Sequence, residues 1–222
     1  MNKKTIGIVG YRNTNENSFG IGITYADYFS KFGSLRIIMP DEDLVSVDLL
    51  VLPGGADVTP SSYGATPGFR TSNPDLFKQH FYDNQLKLYV ESKTPILGIC
   101  LGHQMLNTYF GGSLIQNLWE HPSSTNRYEK GHKVIGCDKD GRPNGKKFEV
   151  NSHHHQAVAL STLSEELNPL LLAEFMDENE AIVEAFQHKS LPICGIQWHP
   201  EEWMDIFTAR MIASLLDVKI VN

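Results

Sequence analysis

Four short runs of this chain, residues 5–9, 36–39, 49–52 and 96–99, are largely apolar and do not alternate with polar residues; turn residues close each of them. Strands with one wet face alternate, so continuous runs of this kind point to a sheet covered on both sides. Two helical patterns lie between them. One spans 21–32 and is closed by Gly33; the other spans roughly 75–92, with Phe77, Phe81 and Leu88 recurring along one face behind a Pro74-Asp75 start. Strand and helix in alternation imply parallel strands joined by right-handed crossovers, with helices on both faces.

After Ser113 the spacing tightens. Short strands are expected at 148–150, 158–160, 181–186 and 192–198, linked by turn-rich stretches such as Asp140-Gly141-Arg142-Pro143-Asn144-Gly145, and a helix over 203–216 closes the chain. With 222 residues and neither an internal repeat nor a long linker, the expectation is one α/β domain over residues 1–222. Its central sheet should be mostly parallel and flanked by helices, with a smaller antiparallel portion in the C-terminal half.

Charge and cysteine usage narrow the functions. Nineteen Lys+Arg against 26 Asp+Glu give a net charge of −7, with no basic run, which disfavours nucleic acid as a partner. No stretch approaches the ~20 apolar residues of a membrane helix, and the apolar run at 6–9 is too short for a signal peptide. Cys100, Cys137 and Cys194 are widely spaced, with no C-x-x-C pair, so neither a disulfide framework nor a cysteine zinc site is indicated. A cytoplasmic protein with reduced thiols is expected.

Of the three cysteines, Cys100 stands apart. Pro95 to Leu106 reads as a buried strand, a G-x-C-x-G turn (Gly98, Cys100, Gly102) and a helix that ends before Gly111-Gly112. This is a nucleophile elbow with sulfur in place of the serine oxygen: the glycines allow a sharp turn, and its apex residue is expected in solvent-accessible space. At a helix N-terminus, free N–H groups and the helix dipole favour the thiolate. Near the other end, a strand leads into His199-Pro200-Glu201. Two-residue spacing in an extended chain turns both side chains the same way, so Glu201 can fix the tautomer of an imidazole that exchanges protons with Cys100. A third stretch, Val51 to Asp57, ends a buried strand in Pro53-Gly54-Gly55 at the same sheet edge, where the N–H groups of Gly55 and Leu101 can face a developing oxyanion.

Together, Pro53-Gly54-Gly55, Gly98 to Gln104 and Trp198-His199-Pro200-Glu201 resemble the class I glutamine amidotransferases across nearly the whole chain. Leu106-Asn107 with Gly111 to Gln116, and Val150 to Gln156, resemble more narrowly the γ-glutamyl hydrolase branch (peptidase C26-like). The resemblance implies Cys100 as nucleophile, His199 as base and acid, Glu201 as its orienter, and Gly55 and Leu101 as oxyanion donors. It further implies that Gly54, Gln104, Ser152, His154, His155 and Gln156 border a glutamyl pocket. Leu101 and Asn117 stand where that branch commonly carries Arg and Asp, and Leu101-Gly102-His103-Gln104 looks like the glutaminase domains of synthetases.

Loops 11–19 and 61–73 are expected to set leaving-group specificity, with Arg12 and Arg70 as cationic candidates, and 127–132 as a further loop beside the site. The triple histidine 153–155 is not expected to bind metal. Consecutive residues of an extended chain face alternate sides, so at most His153 and His155 could share a ligand set, and no acidic or cysteine partner stands at a familiar spacing. No cofactor is expected. The first reading is a hydrolase that releases glutamate from a γ-glutamylated small molecule through a thioester, with amines, folate polyglutamates and phosphoramidate nucleotides among the leaving groups of the resembling branch. The second is a glutaminase subunit supplying ammonia to a separate synthetase, and the third a non-catalytic binding member. A homodimer is compatible with each.

Overall fold

Every residue of the two central runs is buried, and the computed structural model, which describes residues 3–13, 18–119, 121 and 131–217, shows where the alternate side chains go. In chain order the elements are β1 (Thr5–Val9), β2 (Tyr11–Asn13), β3 (Ser18–Gly20), α1 (Ile23–Phe29), β4 (Ser34–Ile38), β5 (Leu49–Leu52), α2 (Leu76–Asn84), α3 (Leu86–Glu91), β6 (Ile96–Ile99) and α4 (Leu101–Tyr109). They continue with β7 (His132–Cys137), β8 (Pro143–Val150), β9 (Val158–Ala159), β10 (Leu167–Asp177), β11 (Glu180–His188), β12 (Ile193–Ile196) and α5 (Ile206–Leu215). Leu49, Val51, Leu97 and Ile99 pack toward Tyr28 and Phe29 of α1 and Met211 and Ile212 of α5. On the opposite face, Leu50, Leu52 and Ile96 pack toward Phe81, Leu86 and Tyr89 of α2 and α3 and Met105 and Leu106 of α4. Period-two alternation across a doubly covered sheet produces these two cores.

The described strands form one ten-stranded sheet in the order β4-β1-β5-β6-β12-β11-β10-β7-β8, with β9 pairing β11, while β2 and β3 make a separate hairpin. β4, β1, β5, β6 and β12 are mutually parallel; from β12 onward the pairing is antiparallel. The protein is thus a single α/β domain, as the alternation of elements implies. The chain runs from β1 outward to β4 and then returns to the other side of β1 as β5, so the order reverses at β1 and β5. Crevices at such reversals, outside the carboxyl ends of the strands, are where α/β folds bind ligands.

Some boundaries differ from the sequence reading. The pattern over 75–92 is two helices, not one: Leu88 N–H bonds the Gln85 carbonyl at 2.9 Å, a tighter turn, and the Gln85 amide is drawn 2.5 Å from the Glu42 carbonyl oxygen. The run at 36–39 is an edge strand beginning at Ser34, with most of its side chains exposed. The eleven-residue β10 had no expected counterpart; Asn168-Pro169 near its start reads as a turn, and its pairing with β11 is broken by register shifts. Cys137 ends β7.

His103 illustrates what this burial costs. The ring is fully buried against Phe186, with centroids 4.4 Å apart, and burial, only partly offset by Glu184, lowers its pKa to about 4. The unfolded chain takes up this proton below about pH 6.5, whereas the folded chain resists it until about 4. The stabilisation is therefore present above pH 6.5 and is lost on acidification. Between pH 7 and pH 5 this one group should remove about 2 kcal/mol of stability. Urea midpoints at the two pH values should converge in His103→Phe; an unchanged pH dependence in that variant would refute the assignment.

Candidate active site

At the β6–α4 junction Cys100 has φ 51° and ψ −102°, a positive-φ conformation for a residue with a side chain, which costs on the order of 1–3 kcal/mol. The flanking glycines make the turn feasible. A Cβ on Gly98 would lie 2.5 Å from the Gly102 carbonyl oxygen, and one on Gly102 would lie 2.2 Å from that of Leu52. Contrary to the expectation of solvent exposure, Cys100 is only 5% exposed. His199, Tyr25 and Cys100 crowd around Gly54: a Cβ there would be 2.7 Å from His199 Cε1, 3.2 Å from the Tyr25 hydroxyl and 3.5 Å from Cys100 Cβ.

β12 lies beside β6 in parallel register, Ile196 opposite Ile99, and the Cys100 N–H donates to the Ile196 carbonyl at 2.8 Å. Residues that follow the two strands therefore emerge at one edge. His199 stands close enough to Cys100 for the sulfur to act on the imidazole, and His199 Nδ1 lies 2.7 Å from Oε1 of the buried Glu201 carboxylate. Burial pulls the imidazole pKa down, but Cys100 and Glu201 outweigh it and hold the pKa well above the usual histidine value. That environment favours the imidazolium. Behind it, Asn151 grips the His199 backbone from both sides, accepting from its N–H at 2.8 Å and donating to its carbonyl at 2.9 Å.

Leu101 opens α4, so its N–H has no acceptor within the helix. Gly55 faces it across the β5 turn, with a Cβ on Gly55 2.9 Å from Leu101 Cδ2. The turn is held from both sides: Gly54 N–H donates to the Tyr25 hydroxyl at 2.8 Å, and Lys78 Nζ donates to the Gly54 carbonyl. Burial, then the charge of Glu201, pushes the Tyr25 hydroxyl well above its ordinary pKa, so it remains a protonated phenol. A cavity of about 360 Å³ opens at the carboxyl ends of β1 and β5, lined by Val9, Tyr11, Tyr25, Gly54, Gly55, Asp75, Lys78, His199, Glu201 and Glu202 among others. Its position is the reversal point of the sheet.

The remaining expected site residues separate into three groups. Gln104, Ser152, His154 and Gln156 do not line this cavity. They form a buried polar layer beside it, in which Gln104 Nε2 donates to the Gln156 carbonyl at 2.8 Å and to Gln197 Oε1 at 3.1 Å. His155 Nε2 meets Asp57 Oδ1 at 3.0 Å, and His153 Nε2 meets Glu202 at 3.5 Å, so the two do not share a partner. The arginines are not at the cavity either: the Arg12 guanidinium lies over the Phe77 ring at 5.8 Å and Arg70 is exposed. Lys78 is the buried lysine there, its pKa lowered by burial and partly restored by Asp75 and Cys100. Residues 127–130 of the expected covering loop lie outside the described residues.

Sequence reasoning missed Lys78, Tyr25 and the Asn151 clamp. Nothing local marks a lysine inside a helical pattern or a tyrosine in α1 as reaching toward a cysteine far along the chain. Loop 61–73 is fastened by Gln116, whose Oε1 accepts from Gly68 N–H at 2.6 Å and the Thr71 hydroxyl at 2.7 Å while its Nε2 donates to the Thr66 carbonyl at 2.9 Å. Asn107, another residue of the resemblance, is a fully buried brace whose Oδ1 accepts from Ser164 N–H at 2.8 Å.

Comparison with known proteins gives a match to the family model described as Peptidase C26 over residues 24–201. A glutamine amidotransferase-like protein of Lactococcus lactis, YvdE, is 33% identical over 193 residues, covering 80% of this chain and 79% of that protein. Anthranilate synthase component 2 of Thermococcus kodakarensis is 25% identical over 87% of this chain and 90% of its own length. Among solved structures, PurLQS of Thermotoga maritima shares the fold with a TM-score of 0.63 at 16% identity, covering 97% of this chain and 98% of the matched one.

Proposed function

The chain belongs to the peptidase C26 family of class I glutamine amidotransferase-like proteins, and from that premise we propose that it is a cysteine hydrolase that releases glutamate from a γ-glutamyl amide. The observation that carries this reading is the succession of Cys100, His199 and Glu201, with His199 and Glu201 2.7 Å apart and both lining the β1–β5 crevice.

In the proposed reaction the Cys100 thiolate attacks the γ-carbonyl carbon. A C–S bond forms, and the carbonyl electron pair moves to oxygen, where the N–H groups of Gly55 and Leu101 receive it. Collapse breaks the C–N bond, and His199 gives its proton to the departing nitrogen, leaving a γ-glutamyl thioester. His199, now neutral, takes a proton from water; the hydroxide adds, the C–S bond breaks, and glutamate leaves with the thiolate restored. Lys78 is assigned to a substrate carboxylate, and Asp75 or Glu202 to its ammonium group, since these charges line the cavity. The buried layer of Gln104, Ser152, His154 and Gln156 is assigned to support of the glutamyl pocket, not to direct contact.

The test is a panel of γ-glutamyl amides, including γ-glutamyl amines and folate-type conjugates, assayed for liberated glutamate with glutamine as the comparison. At least one conjugate should be turned over faster than glutamine by the chain alone. The second reading, a glutaminase subunit, is favoured by the likeness to a protein named as an anthranilate synthase component. It calls for slow glutamine turnover alone and none of the conjugates.

A further inference from the structure

Away from the catalytic trio, four segments far apart in the sequence each contribute one side chain to a buried cluster. His121 comes from the connection after α4, His132 opens β7, His154 lies in the segment after β8, and Glu184 is in β11; these side chains are 1%, 3%, 2% and 0% exposed. The Nε2 atoms of His132, His121 and His154 lie 3.1, 3.9 and 4.0 Å from one atom, Oε1 of Glu184. Ligand atoms of His121, His132 and Glu184 all fall within 4.8 Å of one another. A tetrahedral zinc with bonds of about 2.0–2.1 Å has ligand atoms about 3.3 Å apart, so small side-chain adjustments bring these three together, while His154, 4.0 Å from the Glu184 oxygen and outside that group, has further to turn. The rings meet at angles instead of stacking, 71° between His121 and His132 and 59° between His121 and His154.

These groups do not satisfy one another. Among the described residues, neither carboxylate oxygen of Glu184, neither ring nitrogen of His132, nor Nε2 of His154 has a hydrogen bond of good geometry. Burying a carboxylate in that condition is costly. His154 Nδ1 lies 3.0 Å from the Gln156 carbonyl oxygen. As an N–H donor there, it leaves Nε2 as a lone pair facing the cluster, the outer hydrogen bond typical of metal-bound histidines. His121 Nε2 lies 3.1 Å from the Ser152 hydroxyl, which can donate to it or rotate away. Phe175 walls the cluster off, 4.9 Å from His121 and 5.3 Å from His132 between ring centroids.

We propose that His121, His132, His154 and Glu184 form a structural binding site for a divalent transition metal of the zinc class, with three imidazole nitrogens and one carboxylate oxygen as ligands. A closed set of four protein ligands is the structural type of zinc site. It would fasten the stretch 151–156 to β7 and β11, and that stretch carries the Asn151 clamp on His199 and the His155 contact with Asp57. The spacing of His153–His155 does not reveal the cluster, because only the middle histidine takes part and its partners are supplied by other segments. The proposal does not depend on the γ-glutamyl chemistry.

The test uses the full chain without an affinity tag, stripped with a chelator and titrated with zinc ion alone. About one zinc per chain should be taken up, and saturating zinc should raise the thermal midpoint by about 5 °C or more. Cobalt ion in its place should give the intense visible d–d bands of tetrahedral coordination. Cys100→Ala should retain the metal, which separates this cluster from the catalytic thiol, whereas Glu184→Gln and His132→Ala should lower retained zinc at least tenfold. No zinc uptake by the wild-type chain, which needs no variant to fold, would overturn the proposal. So would loss of the metal in Cys100→Ala.

Discussion

Replacing Cys100 with alanine is expected to lower glutamate release by about 10⁴-fold or more while leaving the fold in place. The thiolate is the only protein nucleophile in the proposed reaction, and no neighbouring group can take its place. Tyr25 is held as a protonated phenol, and Lys78 donates to the Gly54 carbonyl while its remaining N–H groups are assigned to the substrate. Stability should change little, because alanine inherits the same positive φ and vacates only a sulfur. The urea midpoint of the variant and its glutamate release on the best γ-glutamyl amide check the two halves separately. His199→Ala should cost a similar factor. The double variant should be no worse than either single one, since residues that act as a unit do not add. Retained turnover in Cys100→Ala, with the fold intact, would remove both the hydrolase and the glutaminase readings.

Gly102→Ala should instead act on the fold. Its new Cβ would meet the Leu52 carbonyl oxygen at 2.2 Å, Leu52 Cβ at 2.8 Å and the Leu52 carbonyl carbon at 2.9 Å. Two of these are backbone atoms of a central, fully buried strand, so relief requires moving α4 or β5. The expected loss is about 3 kcal/mol or more, which for a chain of this size corresponds to a fall of about 6 °C or more in the thermal midpoint. Because Leu52 leads directly into Pro53-Gly54-Gly55, any displacement should also spoil the proposed oxyanion donors, and activity should fall further than stability alone explains. Gly20→Ala is the control, since a Cβ there meets nothing within 4 Å. Equal stability of the two variants would mean that the close approach at the elbow is not what demands a glycine.

The difference between what was legible in the chain and what was not follows the range of the interactions concerned. Whether residues 49–52 and 96–99 are buried strands depends on their own apolar continuity. Whether Cys100 sits on a sharp turn depends on Gly98 and Gly102 two residues to either side. The orientation of Glu201 toward His199 likewise follows from two-residue spacing, and the structure has that pair 2.7 Å apart. By contrast, the break at Gln85 depends on a carbonyl 43 residues away, and β10 becomes a strand through its pairing with β11 and β7. Lys78 rather than Arg12 lines the cavity because α2 packs under the β5 turn while the Arg12 guanidinium settles on Phe77.

The amino-acid sequence alone determined the α/β character, the elbow around Cys100 and the identity of the three residues proposed for catalysis, because steric limits, period and spacing act over a few residues. Only the tertiary structure decided that β12 lies next to β6, so that His199 reaches Cys100, and that His121, His132, His154 and Glu184 converge. Those are choices of strand order and packing, made by burying two apolar sheet faces at once, and no stretch of chain carries them by itself.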